Sequence, residues 1–186
     1  MSLVSVTGKN WIFRKYNSSD IKEISENFSL AEITAKLLSI RKKNIENIEL
    51  FLNPKIKNLL PNPLQLKDMQ NAVDRTYKSI LKNELIGIFG DYDVDGATST
   101  ALLVKYFLSI NCKIKTYIPN RHSEGYGPSN SGFKSLIDNS AKIIITVDCG
   151  TLSFEPINFA QNSNVDVIVL DHHQSDTKLP KACAIV

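Results

Sequence analysis

Cysteine is scarce in this chain of 186 residues: Cys112, Cys149 and Cys183 are an odd number without the paired spacing of a zinc site. That excludes a disulfide framework and makes the cytosol (a cytoplasmic location) the expected compartment. No apolar stretch approaches the roughly 20 residues of a membrane-spanning helix, and the N-terminus lacks the long apolar core of a secretory signal. No membrane partner is expected. Charge of one sign is also missing, because 22 Lys and Arg face 19 Asp and Glu, a formal net charge of +3. Such a balance permits a nucleic-acid partner without demanding one. What is present, 42% hydrophobic residues, suffices for one well-buried domain with a small appendage.

The most informative stretch runs from Ile88 to Gly96, where Asp91, Asp93 and Asp95 alternate directly after an apolar run. Three carboxylates this close repel one another, and a divalent cation removes that repulsion. Oxygen-rich clusters suit Mg²⁺ or Mn²⁺. Two further β-branched runs end in similar chemistry, residues 142 to 147 at Asp148-Cys149-Gly150 and residues 165 to 170 at Asp171-His172-His173. In an open parallel sheet the carboxyl ends lie side by side, so the three motifs converge. Imidazole among carboxylates favours Mn²⁺ over Mg²⁺.

The pattern from residue 85 onward is strand, loop and helix in repetition, which predicts an α/β fold with a doubly wound, mostly parallel sheet. Strands are expected at 85 to 89, 113 to 118, 142 to 147 and 165 to 170, and the tail 181 to 186 reads as the start of another. Helices are expected at 67 to 82, 97 to 109, 131 to 139 and 154 to 161. In the second of these, Ala101, Leu102, Val104, Lys105 and Leu108 form the predicted core-facing side. The loop from 119 to 130 is long for a compact domain, which suggests function. Upstream, residues 1 to 65 form a small helical N-terminal segment ahead of a domain at 66 to 186. There Ser29 and Glu32 match a capping box, followed by Ile33, Leu37 and Ile40 at helical spacing. Arg41-Lys42-Lys43 suits either a helix C-terminus or a phosphate.

Two rival readings lack a required residue. An EF-hand loop opening at Asp91 needs Glu at its twelfth position, which is Leu102. A haloacid-dehalogenase-like phosphatase matches Asp93-Val94-Asp95-Gly96 but needs a later acidic pair where Asp171-His172-His173 stands.

Gly-Asp-Tyr-Asp-Val-Asp-Gly at 90 to 96, Val-Asp-Cys-Gly at 147 to 150 and Asp-His-His at 171 to 173 resemble the first three motifs of the DHH phosphoesterase superfamily. Tyr117-Ile118-Pro119-Asn120-Arg121, Glu124-Gly125-Tyr126-Gly127, Phe51-Leu52-Asn53-Pro54 and Leu66-Lys67-Asp68-Met69 resemble its RecJ branch of single-strand-specific 5′ to 3′ exonucleases of DNA repair and recombination. The resemblance implies metal-dependent phosphodiester hydrolysis of single-stranded DNA with two ions, Mn²⁺ or Mg²⁺. It assigns Asp91, Asp93, Asp95, Asp148 and His172 to the metals, His173 to the phosphate or attacking water, and Asp171 to orienting an imidazole. Arg121 is expected to pair with phosphate, Tyr126 to stack on a base, and backbone N–H groups from Gly96 to Thr98 to hold an anion, although a need for a small residue explains Gly96 equally well. A fourth motif and a DNA-clamping second domain are also implied and do not fit before Val186. Hence an inactive metal-binding fragment, or half of a split enzyme completed by a second chain, stands as an alternative. So does an oligonucleotide or cyclic-dinucleotide phosphodiesterase of the same superfamily. Oligomeric state is left open.

Overall fold

The computed structural model describes residues 3–12, 14–41 and 47–186, and the chain divides into two compact units, Met1–Pro61 and Asn62–Val186. Among the described residues the first holds a short antiparallel pair, β1 (Leu3–Val4) and β2 (Asn10–Trp11), and the helices α1 (Ser18–Asn27), α2 (Glu32–Ile40), α3 (Ile48–Leu52) and α4 (Ile56–Leu59). Its core is Ile21, Ile24, Ala35, Leu38 and Ile48. This corrects the expected face of α2, since Ile33 and Leu37 are exposed while Ala35 and Leu38 turn inward. The small side chain of Ala35 suits close packing of α1 on α2. The capping box is not formed either: Ser29 has φ +50° and Ala31 occupies the cap position without a side-chain bond. Lys42 and Lys43 lie outside the described residues.

In the second unit α5 (Met69–Leu81) leads into five parallel strands, β3 (Leu85–Gly90), β4 (Ile114–Tyr117), β5 (Ala141–Val147), β6 (Asp166–Leu170) and β7 (Ala184–Ile185). They are connected by α6 (Val94–Ser109), α7 (Asn130–Asp138) and α8 (Phe154–Asn162), and their spatial order is β4-β3-β5-β6-β7. The chain winds one way from β3 to β4 and the other way from β5 onward. The reversal opens a crevice between the carboxyl ends of β3 and β5, the general ligand position in such sheets.

Period-two alternation sends Ile86, Ile88, Ile143, Ile145 and Val147 to one face with Ala72, Leu103 and Phe107, and Phe89, Ile144, Val167 and Val169 to the other with Phe133, Leu136, Ile157 and Ala160. Each fully buried aliphatic or aromatic side chain contributes about 1.5 to 3 kcal/mol by leaving water. The inward side of α6 meets expectation at Val104, which packs against the core, and differs from it elsewhere. Gly96, Thr100, Leu103 and Phe107 face the sheet, whereas Leu102 is 71% and Leu108 56% exposed. Steric closeness sets this rotation: a Cβ on Gly96 would lie 2.4 Å from the Asp91 carbonyl oxygen, and one on Gly90 would strike the Thr100 hydroxyl. Only that side of the helix can approach the end of β3.

Candidate metal centre

β3 ends at Gly90 and delivers Asp91 into the crevice, 1% exposed, where one carboxylate oxygen accepts a long bond from the Gly127 amide (3.4 Å). Asp93 is the N-cap of α6, and its Oδ1 accepts from the Gly96 amide at 3.0 Å. That N–H donation leads the effects holding Asp93 below the usual carboxylate range. A ligand-like role and a structural one thus share a side chain.

Asp148, just past β5, is 5% exposed and has φ +62°, a left-handed conformation that Asp tolerates better than most residues. Its Oδ1 meets His172 Nε2 at 3.0 Å, while its Oδ2 is buried without a hydrogen-bond partner. Burial, followed by the adjoining Asp93 carboxylate, raises its pKa. Asp91, Asp93 and Asp148 each offer an oxygen within 4.8 Å of the others, and Asp148, His172 and His173 form a second such group. Asp148 belongs to both.

Asp171, at the end of β6, is placed differently. Its Oδ2 accepts from the Thr151 amide (3.0 Å) and hydroxyl (2.6 Å), and its Oδ1 from the His173 amide (3.1 Å) and Nδ1 (2.7 Å). Burial alone would raise its pKa, yet the donors from Thr151 and His173 prevail and lower it to about 2. The Tyr126 hydroxyl donates to the Asp148 carbonyl (3.1 Å) and lies 3.2 Å from His173 Nδ1. Desolvation, with Asp171 next among the causes, raises the Tyr126 pKa, so the phenol stays protonated.

The remaining sequence-predicted residues are placed as follows. Asp95 lies in the first turn of α6 and lines one cleft with Ser99, Asp148 and His172, outside both close groups. Arg121 is exposed, its guanidinium 5.2 Å from the Tyr92 ring centroid. The anion role of the Gly96 to Thr98 amides is corrected: α6 begins at Val94, so the Gly96 amide is taken by Asp93 Oδ1 and the Ala97 amide by the Asp93 carbonyl. Thr98 sits a turn inside the helix and its hydroxyl donates to Val94 O at 2.7 Å. Close packing on Asp91 accounts for Gly96. Sequence reasoning passed over Thr151 and Tyr92. A hydroxyl directly after the Asp148-Cys149-Gly150 turn was the available sign for Thr151.

The donor set fits a divalent cation. Carboxylates and imidazoles converge, a buried anionic oxygen lacks a partner, and among the described residues no Lys or Arg ion-pairs with Asp91, Asp93 or Asp148. Such ligands suit Mn²⁺ and Mg²⁺.

Fold and site together define a doubly wound α/β protein with a carboxylate and imidazole centre at its switch point. The family is narrower: residues 85–186, more than half of the chain, match the N-terminal domain of the DHH family, and the chain belongs to that family. It is 34% identical over 177 residues to the single-stranded-DNA-specific exonuclease RecJ of Bacillus subtilis, covering 95% of this chain and 22% of that protein. With RecJ of Escherichia coli the identity is 38% over 136 residues, covering 73% and 23%. The chain therefore spans less than a quarter of the length of these relatives. A solved exonuclease RecJ bound to manganese superposes with a TM-score of 0.61 at 30% identity, covering 65% of this chain and 31% of that one. RecJ of Thermus thermophilus in complex with Mn²⁺ gives 0.68 at 21% identity, covering 93% and 24%, a likeness of fold.

Proposed function

We propose that this chain carries the metal-dependent phosphodiester-hydrolysing site of a single-strand-specific DNA exonuclease, within a domain at 66–186. The observation that carries the reading is the buried, partnerless Asp148 Oδ2 between two groups of ligand-type atoms. Similarity to single-stranded-DNA-specific RecJ exonucleases supports the substrate class, and similarity to a solved exonuclease RecJ bound to manganese supports the metal.

Asp91, Asp93, Asp148 and His172 would hold the metal, with His173 close enough to share it and Asp95 facing the same cleft. Asp148, common to both groups, would serve as a ligand in either. Bound there, divalent ions would lower the pKa of a water and stabilise charge on the leaving oxygen of an in-line displacement. The chain's own residues orient the rest. Asp171 holds the His173 ring through Nδ1. The Tyr126 hydroxyl, spent on Asp148 O, fixes the loop beside that imidazole and leaves the ring to line a second cleft with Gly150 and Thr151. Stacking of an unpaired base there would contribute about 1 to 3 kcal/mol. Arg121, on the same loop, would pair with a phosphate of the strand.

The test is single-turnover cleavage of a short 5′-labelled oligonucleotide with Mn²⁺. Single strands should be cut, duplexes more slowly, and Asp148→Asn or chelator should abolish cutting. Cleavage that persists unchanged in Asp148→Asn rejects the site, as does no Mn²⁺-dependent cleavage at all.

A further inference from the structure

We infer that Thr151 is a positioning residue of this site: by saturating the Asp171 carboxylate it fixes His173 as the tautomer with the proton on Nδ1 and a bare Nε2. The consequence for metal binding rests on the function proposed above, whereas the hydrogen-bond geometry does not.

An ionised carboxylate has about four lone-pair positions and can only accept. Asp171 fills all four, two from Thr151 and two from His173. Because the carboxylate does not donate, the 2.7 Å contact requires the proton to sit on His173 Nδ1. Nε2, with the Tyr126 oxygen 3.5 Å away, is then the unprotonated nitrogen, suited to a metal or to a proton of a bound water. The neighbouring Tyr126 does not oppose this assignment, since its own proton goes to Asp148 O.

Thr151 is built for the task. It is 5% exposed and follows Gly150, whose φ of +118° turns the chain so that the Thr151 amide and hydroxyl both reach Asp171 Oδ2. Two donors on one oxygen fix the carboxylate plane, which presents the other oxygen to His173. Without the hydroxyl, Oδ2 keeps only the 3.0 Å Thr151 amide bond and the carboxylate is otherwise held by His173 itself, so the imidazole's partner is less firmly fixed by the rest of the chain. A purely structural Thr151 that ties the loop after β5 to the end of β6 would lower stability on substitution but leave the imidazole tautomer unchanged.

The experiment records long-range ¹H–¹⁵N correlations of the histidine side chains in the metal-free full chain at mildly alkaline pH. The chain has three histidines, so His173→Gln assigns the signal. Wild type and Thr151→Ser should show His173 as one Nδ1–H tautomer, and Thr151→Val a mixture with Nε2–H. Thr151→Ala serves if the Val variant does not fold. Calorimetry with Mn²⁺ should then show affinity reduced about tenfold or more in the Val or Ala variant and retained in Ser. An Nε2–H tautomer in wild type, or an unshifted tautomer in a folded Val or Ala variant, overturns the assignment. A shifted tautomer with unchanged Mn²⁺ affinity overturns the positioning role at the metal. Should wild type bind no Mn²⁺ while the tautomer shifts as expected, the metal reading fails and the fixing of His173 by Thr151 stands.

Discussion

The two edges of the five-stranded sheet both gather acids, and they treat them in opposite ways. At the amino edge Arg75 of α5 pairs with Glu84 before β3 and with Asp166 at the start of β6, donates to Lys142 O on β5 at 3.1 Å, and shares the buried Ser79 hydroxyl. Both acids there are paired with the same arginine. At the carboxyl edge Asp91, Asp93 and Asp148 converge with only imidazoles beside them. One edge is electrostatically closed and stiffens the fold, while the other is left open for a cation from solution. The fold tolerates the open edge because strands and helix faces, rather than those carboxylates, supply its core.

Breaking the closed edge should produce the largest effect. Arg75→Ala leaves Glu84 and the Ser79 hydroxyl without their cation and should destabilise by about 3 kcal/mol, lowering Tm by about 6 to 12 °C in thermal melts. A change within experimental error would show that the two edges do not differ as described. The open edge should respond with the opposite sign: without metal, Asp148→Asn removes a buried carboxylate of raised pKa, keeps a side chain suited to positive φ, and should raise Tm by a few degrees. The same variant should lose the Mn²⁺-induced rise in Tm expected of wild type.

The smallest effect is on pH dependence at Glu84. Burial pushes this carboxyl up, but the Ser79 hydroxyl and Arg75 outweigh it, so its folded pKa lies below the ordinary 4.5. A depressed carboxyl contributes stability that is complete well above 4.5 and is lost as pH falls through the folded value. Melts of wild type and Glu84→Gln should therefore differ at neutral pH and converge in acid. A gap that is constant across that window would assign the effect to shape rather than charge.

The strands were legible because buried parallel strands need continuous β-branched runs, such as Ile143 to Val147, that few other structures use. The order of motifs along the chain also carried Asp91, Asp148 and His172 to one edge, since parallel topology does the bringing together. Helix rotation was not legible in α6. Leu102 and Leu108 are the more hydrophobic choice for the core, but the close approach at Gly90 and Gly96 puts Thr100 inward instead. Nor was Thr151, whose partner lies 20 residues away and is met only when β5 and β6 are side by side. The amides of Gly96 and Ala97 were misjudged for a local reason: Asp93, taken for a ligand alone, also starts the helix.

The left-handed backbone at Asp148 places two filters on a single codon. Comfort at φ +62° favours Gly, Asn and Asp over bulky and β-branched side chains. Anionic oxygen chemistry admits Asp and Glu. Their overlap is Asp alone, so in a saturation library at this position variants chosen for solubility and variants chosen for turnover would share one amino acid and otherwise diverge.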